Sequence, residues 1–246
     1  MRTLRYIVLV LLLVLICTID GCNRQPGGIS TVKSSVYASA LVEVSGSKQI
    51  ADSGTVLESP IVVQANDSKG NALAGALVTV YGPHGYLFKP ASGITDSSGQ
   101  FTTAVHAGPE SGKFQITATS TDQTGKNIIL NMDVVVLGYQ QTVGSRLNQQ
   151  YCSRCHDSES TPERVSNYDN LSVKPHSFTD SLAMNSMKEA DLMAIIVHGG
   201  PGIGKSAEMP AYGKTFKKSD MEALIAYIRA VSESQYTESG TTNAKK

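Results

Sequence analysis

The sequence predicts a two-domain protein in which an all-β sandwich is followed by an all-α domain. Over residues 36–138, short runs rich in Val, Ile and Thr recur between turn residues, as they do in strands. After Gly138 the apolar residues change to helical spacing, and a Cys-x-x-Cys-His motif at 152–156 lies inside this helical part. The 246 residues have room for two small domains.

The charge balance of the chain limits its possible partners. The sequence has 21 basic and 21 acidic side chains, and no segment is strongly basic. We therefore expect no nucleic-acid partner.

The N-terminus has the pattern of an export signal. Arg2 and Arg5 precede an apolar run from Ile7 to Ile16. This run is shorter than the roughly 20 apolar residues of a membrane span, and it has the size of a signal-peptide core. The sequence therefore predicts an exported protein that faces the periplasm or the cell surface.

The sequence IDGC at 19–22 resembles a bacterial lipobox. The resemblance implies a lipoprotein signal peptide over 1–21 and a lipid on the sulfur of Cys22, which would tether the protein to a membrane. The alternative is an ordinary secretory signal followed by an incidental cysteine. Residues 22–35, rich in Pro, Gly, Ser and Thr, are predicted to be a flexible tether.

The predicted strands of the β region lie within 61–67, 76–82, 93–108, 112–120 and 127–138. About seven short strands in about 100 residues is the count of an immunoglobulin-like (Ig-like) sandwich. The runs PIVVQANDSKGNALAGALVTVYG, GITDSSGQFTTAVHAG and GKFQITATS resemble the bacterial Ig-like domains of the invasin and intimin type. The resemblance implies a spacer or interaction domain over 36–138.

Three helices are predicted in the second domain, over 141–152, 186–200 and 219–232. Ser186 with Glu189, and Ser219 with Glu222, have the spacing of capping boxes. We expect this domain to span 139–235 and to be followed by a polar tail over 236–246.

The motif at 152–156 has three possible interpretations. A structural zinc ion usually takes four ligands, so Cys152 and Cys155 would have to recruit His156 or the distant His176 and His198. A disulfide-exchanging dithiol would be expected in a βαβ context, which this region lacks. Cys-x-x-Cys-His is also the signature of covalent haem attachment, with two thiols one helical turn apart and the histidine directed toward the iron. Because the chain is predicted to be exported, we expect one haem c here.

The second axial ligand of such a haem has several candidates, which are Met184, Met187, Met193, Met209, Met221, His176 and His198. Met209 is favoured because it lies in a loop between two predicted helices and precedes Pro210, which favours an extended backbone at Met209. Ligation by two histidines, through His176 or His198, is the alternative. The choice matters because a His/Met pair raises the reduction potential.

The segment 142–232 resembles a small class I cytochrome c. It has a helix, the Cys-x-x-Cys-His motif, a long loop, a helix with a Gly-Gly end, Met-Pro and a final amphipathic helix. The resemblance implies that His156 is the proximal ligand and Met209 the distal ligand. It also implies that the carbonyl of Pro175 orients His156.

The same resemblance implies that the first helix of the domain crosses the last. Gly144 would allow the close approach, and Tyr227 would be the aromatic residue on the last helix. Asn148 stands where the family has an aromatic residue on the first helix.

These observations predict a membrane-tethered monohaem electron carrier rather than an enzyme. The Ig-like domain would be its spacer or docking module, and redox proteins would be its partners. Lys214, Lys217 and Lys218 are either a docking patch for such a partner or simply solvated. The alternatives are a cell-surface adhesion or scaffold protein with an auxiliary haem, and a haem-based redox sensor in which Met209 is labile.

Overall fold

The computed structural model describes residues 34–157 and 165–232, which belong to one compact unit beginning at Ser34. The predicted signal peptide over 1–21, Cys22, most of the predicted tether and the tail over 236–246 lie outside the described residues. No helix in the two described ranges is long and apolar enough to cross a membrane.

The β region is a sandwich of two sheets. One sheet has the strand order β1-β3-β7-β5 and the other β2-β9-β8-β4-β6. All pairs are antiparallel except β2 with β9, which are parallel. The strands are β1 Ala40–Ser45, β2 Gln49–Asp52, β3 Ile61–Asn66, β4 Leu77–Tyr81, β5 Leu87–Lys89, β6 Ser92–Ile94, β7 Gln100–His106, β8 Gly112–Thr121 and β9 Asn127–Leu137.

The core of the sandwich follows from the alternation of apolar residues along the strands. On β8, Ile116 and Ala118 are fully buried and Phe114 is half-buried, so these alternate residues form the inner face of the strand. Three of the nine strands, β1, β2 and β5, lie outside the predicted ranges, and β2 and β5 have only four and three residues. Such short strands show too little alternation to be recognised in the sequence.

After β9 the described residues form helices and loops, with no strand in 139–157 or 165–232. This region contains five α-helices, with short π-helical and 3-10 segments at Asn148–Cys152, Tyr168–Asn170 and Pro201–Ile203. The α-helices are α1 Tyr139–Leu147, α2 Ser153–His156, α3 Ser181–Ser186, α4 Glu189–His198 and α5 Lys218–Val231.

Both predicted capping boxes are wrong. Ser186 is the last residue of α3, a helix that the sequence did not indicate, and its hydroxyl donates to the carbonyl of Ala183 at 2.9 Å. Helix α5 begins at Lys218, so the carboxylate that accepts from the Lys217 N–H is that of Asp220, at 3.0 Å. Glu222 instead pairs with Lys218 at 3.6 Å.

Strand β9 belongs to the cores of both regions. Val134 and Val136 lie in the sandwich core, whereas Leu137 is buried in the helical core and Val135 packs against it. Gly138 is the only residue between β9 and α1. The two regions therefore share a strand and are not joined by a linker.

Two polar contacts also join the sandwich to the helices. The Thr142 hydroxyl in α1 donates to the Asp52 carboxylate in β2 at 2.5 Å. The ammonium group of Lys113 in β8 donates to the carbonyl of Ser232, just after α5. Both ends of the helical region are thus attached to the second sheet.

Candidate haem site

A largely apolar cavity of about 320 Å³ lies within the helical region. Its size is in the range of small-molecule and cofactor sites, roughly 300–1,000 Å³. Residues of the Cys-x-x-Cys-His motif, of the segment 171–178 and of the loop before Pro210 line it. The lining includes Cys152, Cys155, His156, His176, Met184, Met187 and Met209.

The two motif cysteines lie where a π-helical segment is followed by a short α-helix. Cys152 ends the π-helical segment that follows α1, and Cys155 lies in the one-turn helix α2. Both are free thiols and both are half-buried. Burial, and next the neighbouring Cys155, raise the pKa of the Cys152 thiol to about 12, so this thiol is protonated at neutral pH.

The crossing of α1 and α5 positions this motif. A Cβ atom on Gly144 would lie 2.0 Å from the carbonyl oxygen of Ala223, so only glycine allows this approach. In place of an aromatic pair, the buried Asn148 donates from its side chain to the Tyr227 hydroxyl at 3.4 Å. The implied contact between Gly144 and Tyr227 is therefore present, with a polar contact beside it.

The His156 ring is held by a backbone carbonyl and an aromatic ring. Its Nδ1 lies 3.1 Å from the carbonyl oxygen of His176, and the ring stacks on Phe178 with centroids 4.5 Å apart. Burial lowers the pKa of His156, so the imidazole is neutral near pH 7. Nδ1–H then donates to the carbonyl, and Nε2 keeps its lone pair for a metal.

The carbonyl that orients His156 differs from the one that the family resemblance implies. Pro175 lines the cavity, but the accepting oxygen belongs to the next residue, His176. The His176 side chain makes a separate hydrogen bond, in which its Nδ1 lies 3.1 Å from the Asp180 carboxylate. Since the contact to His156 uses the backbone, the identity of residue 176 does not determine it.

The loop that carries Met209 is fastened to the end of α4. The Gly200 N–H donates to the Met209 carbonyl at 3.0 Å, and the Tyr212 N–H donates to the Ile196 carbonyl at 2.9 Å. A Cβ atom on Gly200 would lie 1.8 Å from the carbonyl oxygen of Ser206, and Gly199 has a positive φ of 66°. The Gly-Gly end of α4 thus allows the loop to approach closely, with Met209 half-buried against the cavity.

The other candidate ligands divide into two groups. Met184, Met187 and His176 line the cavity together with Met209. Met221 is buried in the helical core, Met193 packs against that core, and His198 is exposed. Met184 lies in α3, outside the three predicted helices, and is only 3% exposed.

Two features of the cavity wall were not recognised in the sequence. The Arg229 guanidinium in α5 donates to the carbonyls of Met184 and Met187, which holds the α3–α4 connection against the last helix. The Tyr212 hydroxyl donates to the Tyr151 carbonyl at 3.1 Å beside the motif. Both contacts involve backbone acceptors, which have no residue-specific signal in a sequence.

The three lysines considered as a docking patch lie outside the cavity wall. Lys214, Lys217 and Lys218 are exposed, and none of them lines the cavity. The lysines that line it are Lys174 and Lys205. Lys174 is engaged locally, because its ammonium group donates to the carbonyls of residues 168, 169 and 171 at 2.7–3.1 Å.

Among the described residues, no three histidine, cysteine, aspartate or glutamate side chains come together as a metal site.

The sequence of 140–228 matches the family described as cytochrome c oxidase, cbb3-type, subunit III. This segment is a cytochrome c domain. The predicted resemblance to cytochrome c is thereby confirmed, and a cytochrome c domain implies haem c.

No curated protein matches the sequence at a significant level. Solved structures similar to the β region that precedes the cytochrome c domain include the D00-D0 domain of intimin, at 17% identity and a TM-score of 0.31. This match covers 44% of the chain and 51% of the intimin fragment. The chain therefore spans about half the length of that fragment.

Two further matches are invasin and the adhesin InvE. Invasin, described as a bacterial integrin-binding protein, is 22% identical at a TM-score of 0.31, over 39% of this chain and 19% of its own. The adhesin InvE of Yersinia pseudotuberculosis is 14% identical at a TM-score of 0.29, over 42% and 32%. The β region resembles Ig-like domains, and the cytochrome c domain follows it.

Proposed function

We propose that this protein is an exported monohaem electron carrier, with the haem bound through Cys152, Cys155, His156 and Met209. The observation that carries the proposal is one apolar cavity lined by both thiols of the motif, by its histidine and by the Met209 loop. The neutral, backbone-bonded imidazole of His156 supports it, because that state leaves Nε2 available to iron.

The residues of the cavity suit a covalently attached haem. Cys152 and Cys155 are free thiols, as thioether formation requires, and the surrounding wall is mostly aliphatic and aromatic. The haem would supply the reversible one-electron chemistry, and the protein would supply burial, ligation and docking. With protein ligands on both sides of the iron, no position is open for a substrate, which favours a carrier over an enzyme.

The predicted anchor, tether and Ig-like region complete the proposal. Cys22 would carry the lipid, residues 22–35 would be the tether, and the Ig-like region would hold the haem away from the membrane. Its partners would be redox proteins.

Covalent attachment is the first test. We expect the full chain, exported from a host that attaches haem c, to gain the mass of one haem and to keep its colour after denaturation. Cys152→Ala together with Cys155→Ala should abolish the retained haem, because both thioether positions are lost. Mass spectrometry and extraction into acid acetone measure this. Potentiometry of the parent protein should follow a one-electron curve.

Cys22→Ala is the matched control, since it removes a cysteine outside the helical region. This variant should keep its haem but no longer partition into detergent. Lipid anchoring and haem attachment are thereby tested independently. Haem that acid acetone extracts from the parent protein would contradict the proposal. Two haems per chain would contradict the monohaem assignment.

A further inference from the structure

Glu208 connects the loop that contains Met209 with the segment whose His176 carbonyl orients His156. It directly precedes Met209, and its carboxylate accepts from the backbone N–H of Ser172 at 3.0 Å and from the Ser172 hydroxyl at 2.6 Å. Ser172 lies four residues before His176, whose carbonyl orients His156. Within residues 34–157 and 165–232, no other acidic side chain lines the cavity.

This contact lies at the edge of the cavity. Leu171 and Val173, on either side of Ser172, line the cavity, and so do Ser206 and Met209 around Glu208. A second anchor ties the carboxylate to its own loop, because the Ser206 hydroxyl donates to it at 3.2 Å. The Glu208 carboxylate therefore joins two loops that are 36 residues apart in the sequence.

Both partners of the contact are themselves fixed. The Lys174 ammonium bonds three carbonyls of the residues before Ser172 and lies 5.4 Å from the centre of the Tyr168 ring. On the other side, Gly200 holds the Met209 carbonyl. A charge-assisted bond between two fixed loops restrains their separation more than one between mobile chains, since little further conformational entropy is lost.

We propose that Glu208 is a positioning residue that clasps the Met209 loop to the His176 segment and so keeps Met209 on the iron. The inference rests on the proposed function, because it requires a haem with Met209 as ligand. Glu208 itself would touch neither the atoms that bind the iron nor the iron. It would change how often Met209 releases the metal.

Competition with imidazole tests the clasp. Imidazole binds the ferric protein only when Met209 has left, so its apparent affinity reports the open fraction. We expect Glu208→Ala to raise the imidazole affinity by roughly threefold to tenfold, the effect of losing charge-assisted hydrogen bonds. Absorption titration measures this, with loss of the weak near-infrared band of methionine-ligated ferric haem as the signal.

Two further variants make the test specific. Ser172→Ala should raise the affinity less, because the backbone N–H of residue 172 still donates, and it should have no additional effect in the Glu208→Ala background. Glu222→Ala is the matched control, a surface glutamate of α5 outside the cavity, and it should leave the affinity unchanged. Additive effects of Ser172→Ala and Glu208→Ala would overturn the clasp.

The spectrum of the parent protein distinguishes failure of the clasp from failure of the proposed function. A parent without the methionine band would overturn Met209 ligation and with it the proposed function. A parent with the band, whose imidazole affinity is unchanged by Glu208→Ala, would overturn the clasp alone.

Discussion

The two proposed axial ligands, His156 and Met209, are oriented through backbone atoms. The Nδ1–H of His156 donates to the His176 carbonyl, and the Met209 carbonyl accepts from the Gly200 N–H. Side-chain substitutions at His176 should therefore leave His156 in place. Met187 lines the same cavity, and its carbonyl accepts from the Arg229 guanidinium in α5.

Met209→Leu is expected to remove the near-infrared methionine band of the ferric protein and to lower the reduction potential, because the thioether ligand is lost. Visible and near-infrared spectra with potentiometry measure both. Met187→Leu, a second methionine of the cavity wall, and His176→Ala should retain the band. If His176→Ala removed the low-spin spectrum while Met209→Leu did not, ligation by two histidines would be correct.

At the scale of residues, the sequence is informative where chemistry requires fixed spacing. Cys152, Cys155 and His156 form a local motif, and Met209 precedes a proline in a loop, so both could be recognised. The carbonyl of His176 could not, because a carbonyl is common to every residue. The contact of Glu208 with Ser172 could not either, because it depends on how two distant loops fold together.

The pairing of α1 with α5 is the element-scale feature on which the motif depends. Gly144 lies against the backbone of Ala223, and Asn148 and Tyr227 meet one turn further along. The resemblance to cytochrome c implied this crossing, with Gly144 at the close approach, but the capping-box spacing did not predict the start of α5. That start depends on which carboxylate reaches the Lys217 N–H, and both Asp220 and Glu222 were available.

Gly144→Ala should have two opposed effects on the free energy of unfolding. Helix propensity alone would stabilise the protein by about 1 kcal/mol. The added Cβ would lie 2.0 Å from the Ala223 carbonyl oxygen, and such overpacking typically costs about 1–3 kcal/mol. Because the neighbour is backbone and cannot rotate away, we expect net destabilisation, measured by urea unfolding.

Arg146→Ala, at an exposed position of α1, is the control and should change the free energy of unfolding by less than about 0.5 kcal/mol. A Gly144→Ala protein as stable as the parent would show that the two helices are further apart than in this structure.

At the scale of the whole molecule, β9 joins the two regions. Its alternate residues face two different cores, and Leu137 is 2% exposed within the helical core. The contacts of Thr142 with Asp52 and of Lys113 with Ser232 lie on the same side of the sandwich. The pattern of apolar residues changes at Gly138, as it would at a linker, and only the packing of β9 shows that the residues before Gly138 serve both regions.

Leu137→Ala should destabilise the helical region although the substitution is in a strand of the sandwich. Truncation of a buried leucine typically costs about 2–5 kcal/mol. Hydrogen exchange resolved along the chain would locate the loss, which we expect in α1 and α5 as well as in β9. Ile129→Ala, on the same strand at 59% exposure, should have little effect. A loss of protection confined to the sandwich would contradict the shared core.

The double role of β9 limits how this protein could be recombined. A cytochrome c domain excised at Tyr139 and grafted onto another carrier would leave Val135 and Leu137 behind and expose the surface they cover. An excision further upstream would take a strand that lies between β2 and β8, and so would open the donor sheet. Neither end of β9 offers a clean boundary, so the two regions would have to be transferred together.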